Sequence, residues 1–227
     1  MRLVRGAVLV VLAAACAGRD EGPGAAPSLP APDRLVRPGA TPVDTVVADL
    51  DGDRADEVTI SSVSGEVDDL GIATPFVEVF DVRDGRWTRV FDATGSAPPG
   101  AGAPAAMLSA GAEFVGQSVD SLAAVDFAGD GRPELVVGIL TFGATAGPLE
   151  LWIVSMGDDG TLATVLYRVT ERGGLIGIET DRLRVEYGVY RKHDPGCCPS
   201  RFAVETIGWN SAAGRVEVLD RRVTRAP

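Results

Sequence analysis

Two nine-residue stretches concentrate the oxygen donors of this chain: D-L-D-G-D-R-A-D-E from Asp49 to Glu57 and D-F-A-G-D-G-R-P-E from Asp126 to Glu134. Calcium takes about six to eight oxygens at about 2.3 to 2.6 Å, and a tight turn can supply them from alternate side chains plus one main-chain carbonyl. In the first stretch Asp49, Asp51 and Asp53 take the alternate positions, the carbonyl of Ala55 follows, and Glu57 closes the set. Gly52 permits the sharp bend. In the second, Asp126, Asp130, the carbonyl of Arg132 and Glu134 remain, while Ala128 stands where the middle carboxylate belongs. The second loop is therefore expected to bind more weakly or to be vestigial. Three carboxylates in one turn repel each other unless a cation sits among them, which favours metal in the first loop. Turns rich in Asp and Gly also form without metal, because these residues suit turn geometry.

No other group of residues spells out a chemistry. His193 is the only histidine, beside Asp194 and seven residues before Ser200. Closeness in sequence does not make a triad, and the G-x-S-x-G turn of a serine hydrolase is missing, so His193 is expected to be a surface residue and the chain not to be an enzyme. Trp87, Trp152 and Trp209 fall on expected strands and read as core or sheet-face residues.

The elements that must position the acidic loops read as strands. Val46, Val47 and Ala48 precede the first loop and Val58, Thr59 and Ile60 follow it; Ala123, Ala124 and Val125 precede the second and Leu135, Val136 and Val137 follow it. Alternating or β-branched runs are expected as strands at 43–48, 58–62, 76–82 and 87–92, then at 121–125, 135–142, 149–155 and 162–169, then at 175–179, 183–190, 201–209 and 216–223. Asp84-Gly85 and Asp159-Gly160 suit hairpin turns. No stretch carries a sustained 3.6-residue apolar period, and residues 105–114 hold at most a short helix. The fold class expected is all-β, with about three repeated four-stranded antiparallel meander units at 43–94, 115–170 and 175–227, forming an open or partial β-propeller-like stack or a sandwich. Residues 95–106, rich in Gly, Ala and Pro, read as a surface loop between units.

The start of the chain bears on compartment. Arg2 and Arg5 precede the apolar run Ala7 to Leu12, which ends in Ala13, Ala14, Ala15 and Cys16, as in a signal peptide spanning residues 1–15. The run is shorter than the roughly 20 residues of a membrane span. Removal of residues 1–15 takes away two arginines and no acid, leaving 19 basic against 32 acidic residues and a net charge of −13. Such a charge disfavours nucleic acid as a partner, since that contact depends on cationic patches. Residues 16–42 are dense in Ala, Gly and Pro and read as a flexible tether, followed by a single β domain at 43–227. Beyond Cys16 only Cys197 and Cys198 remain. In an oxidising compartment they can bridge each other or another chain. A bridge between neighbours is strained, because adjacent Cα atoms lie about 3.8 Å apart, below the usual disulfide range of about 4.4 to 6.8 Å.

Three resemblances add to this reading. Ala13-Ala14-Ala15-Cys16 resembles a bacterial lipobox, which implies cleavage before Cys16 and a lipid on its sulfur. An EF-hand fails as a match, since Ile60 stands at the twelfth position and strands, not helices, flank the loop. The loops instead resemble the FG-GAP (integrin α-type) repeat and the VCBS-type repeats of bacterial surface proteins, over residues 43–60 and 119–140. That resemblance implies calcium between propeller strands, with adhesion or the binding of a protein or glycan ligand as the outcome. The segment H-D-P-G-C-C-P-S-R-F-A-V-E-T-I-G-W from His193 to Trp209 resembles the C-terminal part of secreted bacterial lipoproteins. The expectation is an exported, lipid-anchored, calcium-binding module of the cell envelope. A passive envelope-structural lipoprotein and a secreted hydrolase are the alternatives.

Overall fold

A computed structural model describes residues 27–67, 73–94, 114–143, 146–170, 172–195 and 198–225. The fold is all-β, with twelve strands among the described residues: β1 (Ala40–Ala48), β2 (Glu57–Val67), β3 (Ala73–Arg83), β4 (Arg86–Thr94), β5 (Phe114–Val125), β6 (Glu134–Gly143), β7 (Ala146–Met156), β8 (Leu162–Val169), β9 (Leu175–Ile178), β10 (Arg182–Val189), β11 (Arg201–Asn210) and β12 (Arg215–Arg225). They form three four-stranded antiparallel sheets of consecutive strands, β1-β2-β3-β4, β5-β6-β7-β8 and β9-β10-β11-β12. Each expected strand has its counterpart, and the three expected units are the three sheets. Residues 95–106, the short helix expected before Phe114, residues 1–15 and Cys16 lie outside the described residues; Phe114 itself begins β5.

The sheets stack with the second in the middle. Strands β6 and β7 are apolar on both faces, a pattern that suits strands covered on both sides. One face of them, with Leu135, Val137, Ile139, Trp152 and Val154, packs with Val77, Val79 and Ala93 of the first sheet. The opposite face, with Val136, Leu149, Leu151 and Ile153, packs with Leu183, Val185 and Ile207 of the third. Alternation within single strands follows from this layering, as in β10, where Leu183 and Val185 are buried between exposed Arg182 and Arg184.

The outer face of the first sheet is covered by the chain that enters it. A 3-10 turn at Pro32–Arg34 brings Val36 into contact with Val58, Ile60 and Phe80. Arg37 lies over the Phe76 ring, 3.7 Å from its centre, and its Nε stands 3.4 Å from Glu78 of β3. Arg89 donates a 2.6 Å bond to the same carboxylate. The later part of the segment read as a tether is thus packed against the domain from Pro32 to Arg37. No described helix is long and apolar enough to cross a membrane.

Both acidic loops occupy the same place in their sheets, the turn between first and second strands. Ala48 pairs with Glu57 across the first loop, and Val125 pairs with Glu134 across the second. The residue after the first aspartate of each loop points into a seam between sheets. Leu50 joins the core shared by sheets one and two, and Phe127 the core shared by sheets two and three. Each loop is thereby nailed to the neighbouring sheet by one apolar side chain.

Candidate metal centre

The first loop is folded by its own carboxylates. Asp49 accepts the N–H of Gly52 at 2.7 Å and that of Arg54 at 3.0 Å, one on each oxygen. Asp51 Oδ1 accepts the Asp53 N–H at 3.0 Å, Asp53 Oδ1 accepts the Ala55 N–H at 2.7 Å, and Glu57 Oε2 accepts the Leu50 N–H at 2.6 Å. The path requires left-handed backbone at Gly52 (φ 81°) and Arg54 (φ 73°). Glycine adopts that conformation without penalty, whereas an arginine there carries steric cost.

This path brings Asp49, Asp51 and Glu57 together, with one ligand oxygen from each lying within 4.8 Å of the others. Glu57 is fully buried, Asp51 is buried and Asp49 half-buried. The Oε1 of Glu57 is sealed from solvent and has no hydrogen-bond partner. Burial pushes the Glu57 carboxyl up to about 7, against the opposing pull of the Leu50 N–H and with the help of the charges on Asp51, Asp81 and Asp53. Burial also raises Asp51, opposed by the Asp53 N–H and reinforced by Asp53, Asp81 and Asp49. A buried carboxylate oxygen without a donor is costly, and a cation among the three side chains would satisfy it. The donors are all oxygen, with no sulfur or imidazole, which suits a hard cation such as calcium. Of the expected first-loop ligands, Asp53 lies outside this group and is exposed; Ala55 is half-buried beside it.

The second loop repeats the backbone path without the acid cluster. Asp126 accepts N–H groups from Gly129 at 2.7 Å, Asp130 at 3.1 Å and Gly131 at 2.9 Å. Asp130 accepts the Arg132 N–H at 3.0 Å, and Glu134 accepts the Phe127 N–H at 3.3 Å. Gly129 and Gly131 take the left-handed positions held by Gly52 and Arg54. Because Ala128 replaces Asp51, Asp126, Asp130 and Glu134 form no close group of three among the described residues. Burial raises the Glu134 carboxyl. In the third sheet the equivalent turn shrinks to Glu179–Asp181, where Arg182 binds Asp181 at 2.8 and 3.0 Å and stands 3.7 Å from Glu179.

Sequence reading did not find Asp81. The register that pairs Val58 with Phe80 places Asp81 one step further along β3, beside Glu57. Asp81 is buried and its Oδ2 takes a 3.0 Å bond from Arg83. In the second sheet Leu135 pairs with Val154, so Ser155 takes the place beside Glu134. Around its buried glutamate the first site therefore has two buried carboxylates that the second lacks, Asp51 from the loop and Asp81 from β3. Only cross-strand register reveals the second of these.

The remaining candidates are placed without a constellation. His193 is exposed. Asp194 Oδ2 accepts the N–H groups of Arg191 at 2.8 Å and Ser200 at 2.9 Å, bonds that hold its carboxyl below the usual range and fix it to its own loop. Cys198 is exposed and its N–H donates to the Pro195 carbonyl at 3.0 Å, while Cys197 lies outside the described residues. Trp152 is buried in the core, Trp87 half-buried and Trp209 on the exposed face of β11. Comparison with protein-family models and with curated proteins finds no match for the chain.

Proposed function

We propose that the chain is an exported, lipid-anchored, calcium-binding β-repeat protein that binds a protein or glycan ligand and does not catalyse a reaction. The observation that carries the calcium reading is the close grouping of Asp49, Asp51 and Glu57, with Glu57 fully buried and its Oε1 without a hydrogen-bond partner. Calcium tolerates an irregular oxygen set better than magnesium, which demands near-ideal octahedral geometry. Its role here is structural. It relieves the repulsion in the loop that carries Leu50 into the seam between the first two sheets.

Export and anchoring rest on the charged, apolar and small-residue order of residues 2–16 ending in Cys16. Cys16→Ser should release the protein from the membrane fraction, and full retention would remove the anchor from the proposal. Calcium is expected to raise the thermal midpoint of chelator-stripped protein, as any ligand that binds only the native state does. Scanning calorimetry with no calcium-dependent shift would remove the metal. A passive envelope-structural role is the second reading, favoured by the missing carboxylate at Ala128 and the Arg182-neutralised third turn. Pull-down from envelope extracts with and without calcium separates the two: a calcium-dependent partner supports the binding module.

A further inference from the structure

Arg132 belongs to the second loop by sequence and to the first by position. Its main-chain N–H closes the second loop on Asp130. Its side chain lies along Gly52, so that a β-carbon on Gly52 would run into Cγ, Cδ and Nε of Arg132. Gly52 thus combines a left-handed φ of 81° with close contact beneath the arginine side chain. Beyond Gly52 the guanidinium reaches Asp158 in the β7–β8 turn. A positively charged side chain from the second unit therefore lies over the residue next to Asp51, at the turn that groups Asp49, Asp51 and the buried Glu57, whose Oε1 has no partner. The charges of Asp158, Asp130 and Asp51 all act on it.

We propose that Arg132 is a built-in counter-charge of the first loop's cation site, supplied across the seam by the second unit, and that it sets the affinity of that site. This rests on the calcium reading of Asp49, Asp51 and Glu57. Without a cation, the guanidinium offsets part of the acid cluster's repulsion. With one bound, it opposes the divalent charge, and Asp158 holds it back. In the third unit the counter-charge is local, with Arg182 seated directly on the adjacent Asp181. One unit charge several ångströms from a divalent ion, in a medium close to water in polarity, changes affinity by about three- to tenfold. Arg132 is exposed, so the effect should shrink in high salt.

Calcium titration calorimetry of the purified protein at low ionic strength tests this with three variants. Arg132→Met keeps an apolar stem over Gly52 and removes the charge; it should bind calcium about three- to tenfold more tightly, with the gain shrinking in high salt. Asp158→Asn frees the guanidinium to settle toward the loop and should weaken binding. Arg132→Lys restores the charge and should return affinity to the wild-type level, which separates charge from any loosening of the seam. Unchanged or weaker binding in Arg132→Met, or tight binding in both Arg132→Met and Arg132→Lys, overturns the inference. Wild-type protein that binds no calcium would instead overturn the reading on which it rests.

Discussion

Glu57→Gln should move the metal-free and the calcium-loaded protein in opposite directions. Glutamine keeps an acceptor for the Leu50 N–H, which Glu57 now receives at 2.6 Å, and its amide group can donate to the neighbouring carboxylates. What it removes is a fully buried charge whose second oxygen has no partner. Burial raises that carboxyl from 4.5 to about 7. A folded-state pKa above the unfolded one means that stability is fully present below about 4.5 and is lost as pH rises through about 7. At about 1.4 kcal/mol per pKa unit, ionised Glu57 costs the chelated protein on the order of 3 kcal/mol at pH 8. For a domain of this size about 1 kcal/mol moves the melting point by roughly 2 to 4 °C, so the chelated variant should melt about 6 to 12 °C above chelated wild type. Calcium at about a hundred times its Kd adds about 2.7 kcal/mol to wild type. It should add little to the variant, which has lost a charged ligand from the group of three. Scanning calorimetry at pH 8, with chelator and then with calcium, reads both effects. A variant that melts below wild type in chelator, or that keeps the full calcium shift, refutes the reasoning.

Other changes follow from the same geometry. Asp51→Ala places in the first loop the alanine that the second has at Ala128 and should weaken calcium binding at least tenfold by titration calorimetry, while Ala128→Asp should add a second equivalent of bound calcium. Chelated wild-type protein should lose thermal stability as pH rises from about 5 to about 8, since burial raises both Glu57 and Asp51, and calcium should flatten that profile in melts recorded across the range. Gly52→Ala combines a strained left-handed φ with a clash against Arg132 and should cost on the order of 1 to 3 kcal/mol by denaturant unfolding. Leu50→Ala, which empties a buried position in the seam between sheets one and two, should cost about 2 to 5 kcal/mol in the same assay.

The strands were legible because each carries its own signal. Leu183 and Val185 alternate with arginines because β10 has one covered face, and the unbroken apolar run Leu135 to Val137 marks a strand covered on both. Which sheet covers which could not be read, since packing between sheets leaves no period in the sequence. Val36 illustrates the same gap. A lone apolar pair, Leu35-Val36, in an Ala- and Pro-rich stretch has no pattern, yet it closes the outer face of the first sheet. Within the site, the nine-residue spacing disclosed Asp49, Asp51 and Glu57, because a turn this tight leaves their carboxylates few directions. Asp53 departs from the pattern: it is exposed and lies outside the group of three. Asp81 and Arg132 reach the site through strand register and through the seam between units, relations that spacing along the chain does not encode.

Calcium binding at the first loop is the property on which the proposed function rests. Titration calorimetry of chelator-stripped protein should find one site of clear affinity, weakened at least tenfold in Asp51→Ala protein whose circular dichroism is unchanged. No heat of binding in wild type, or equal binding in Asp51→Ala, would contradict it.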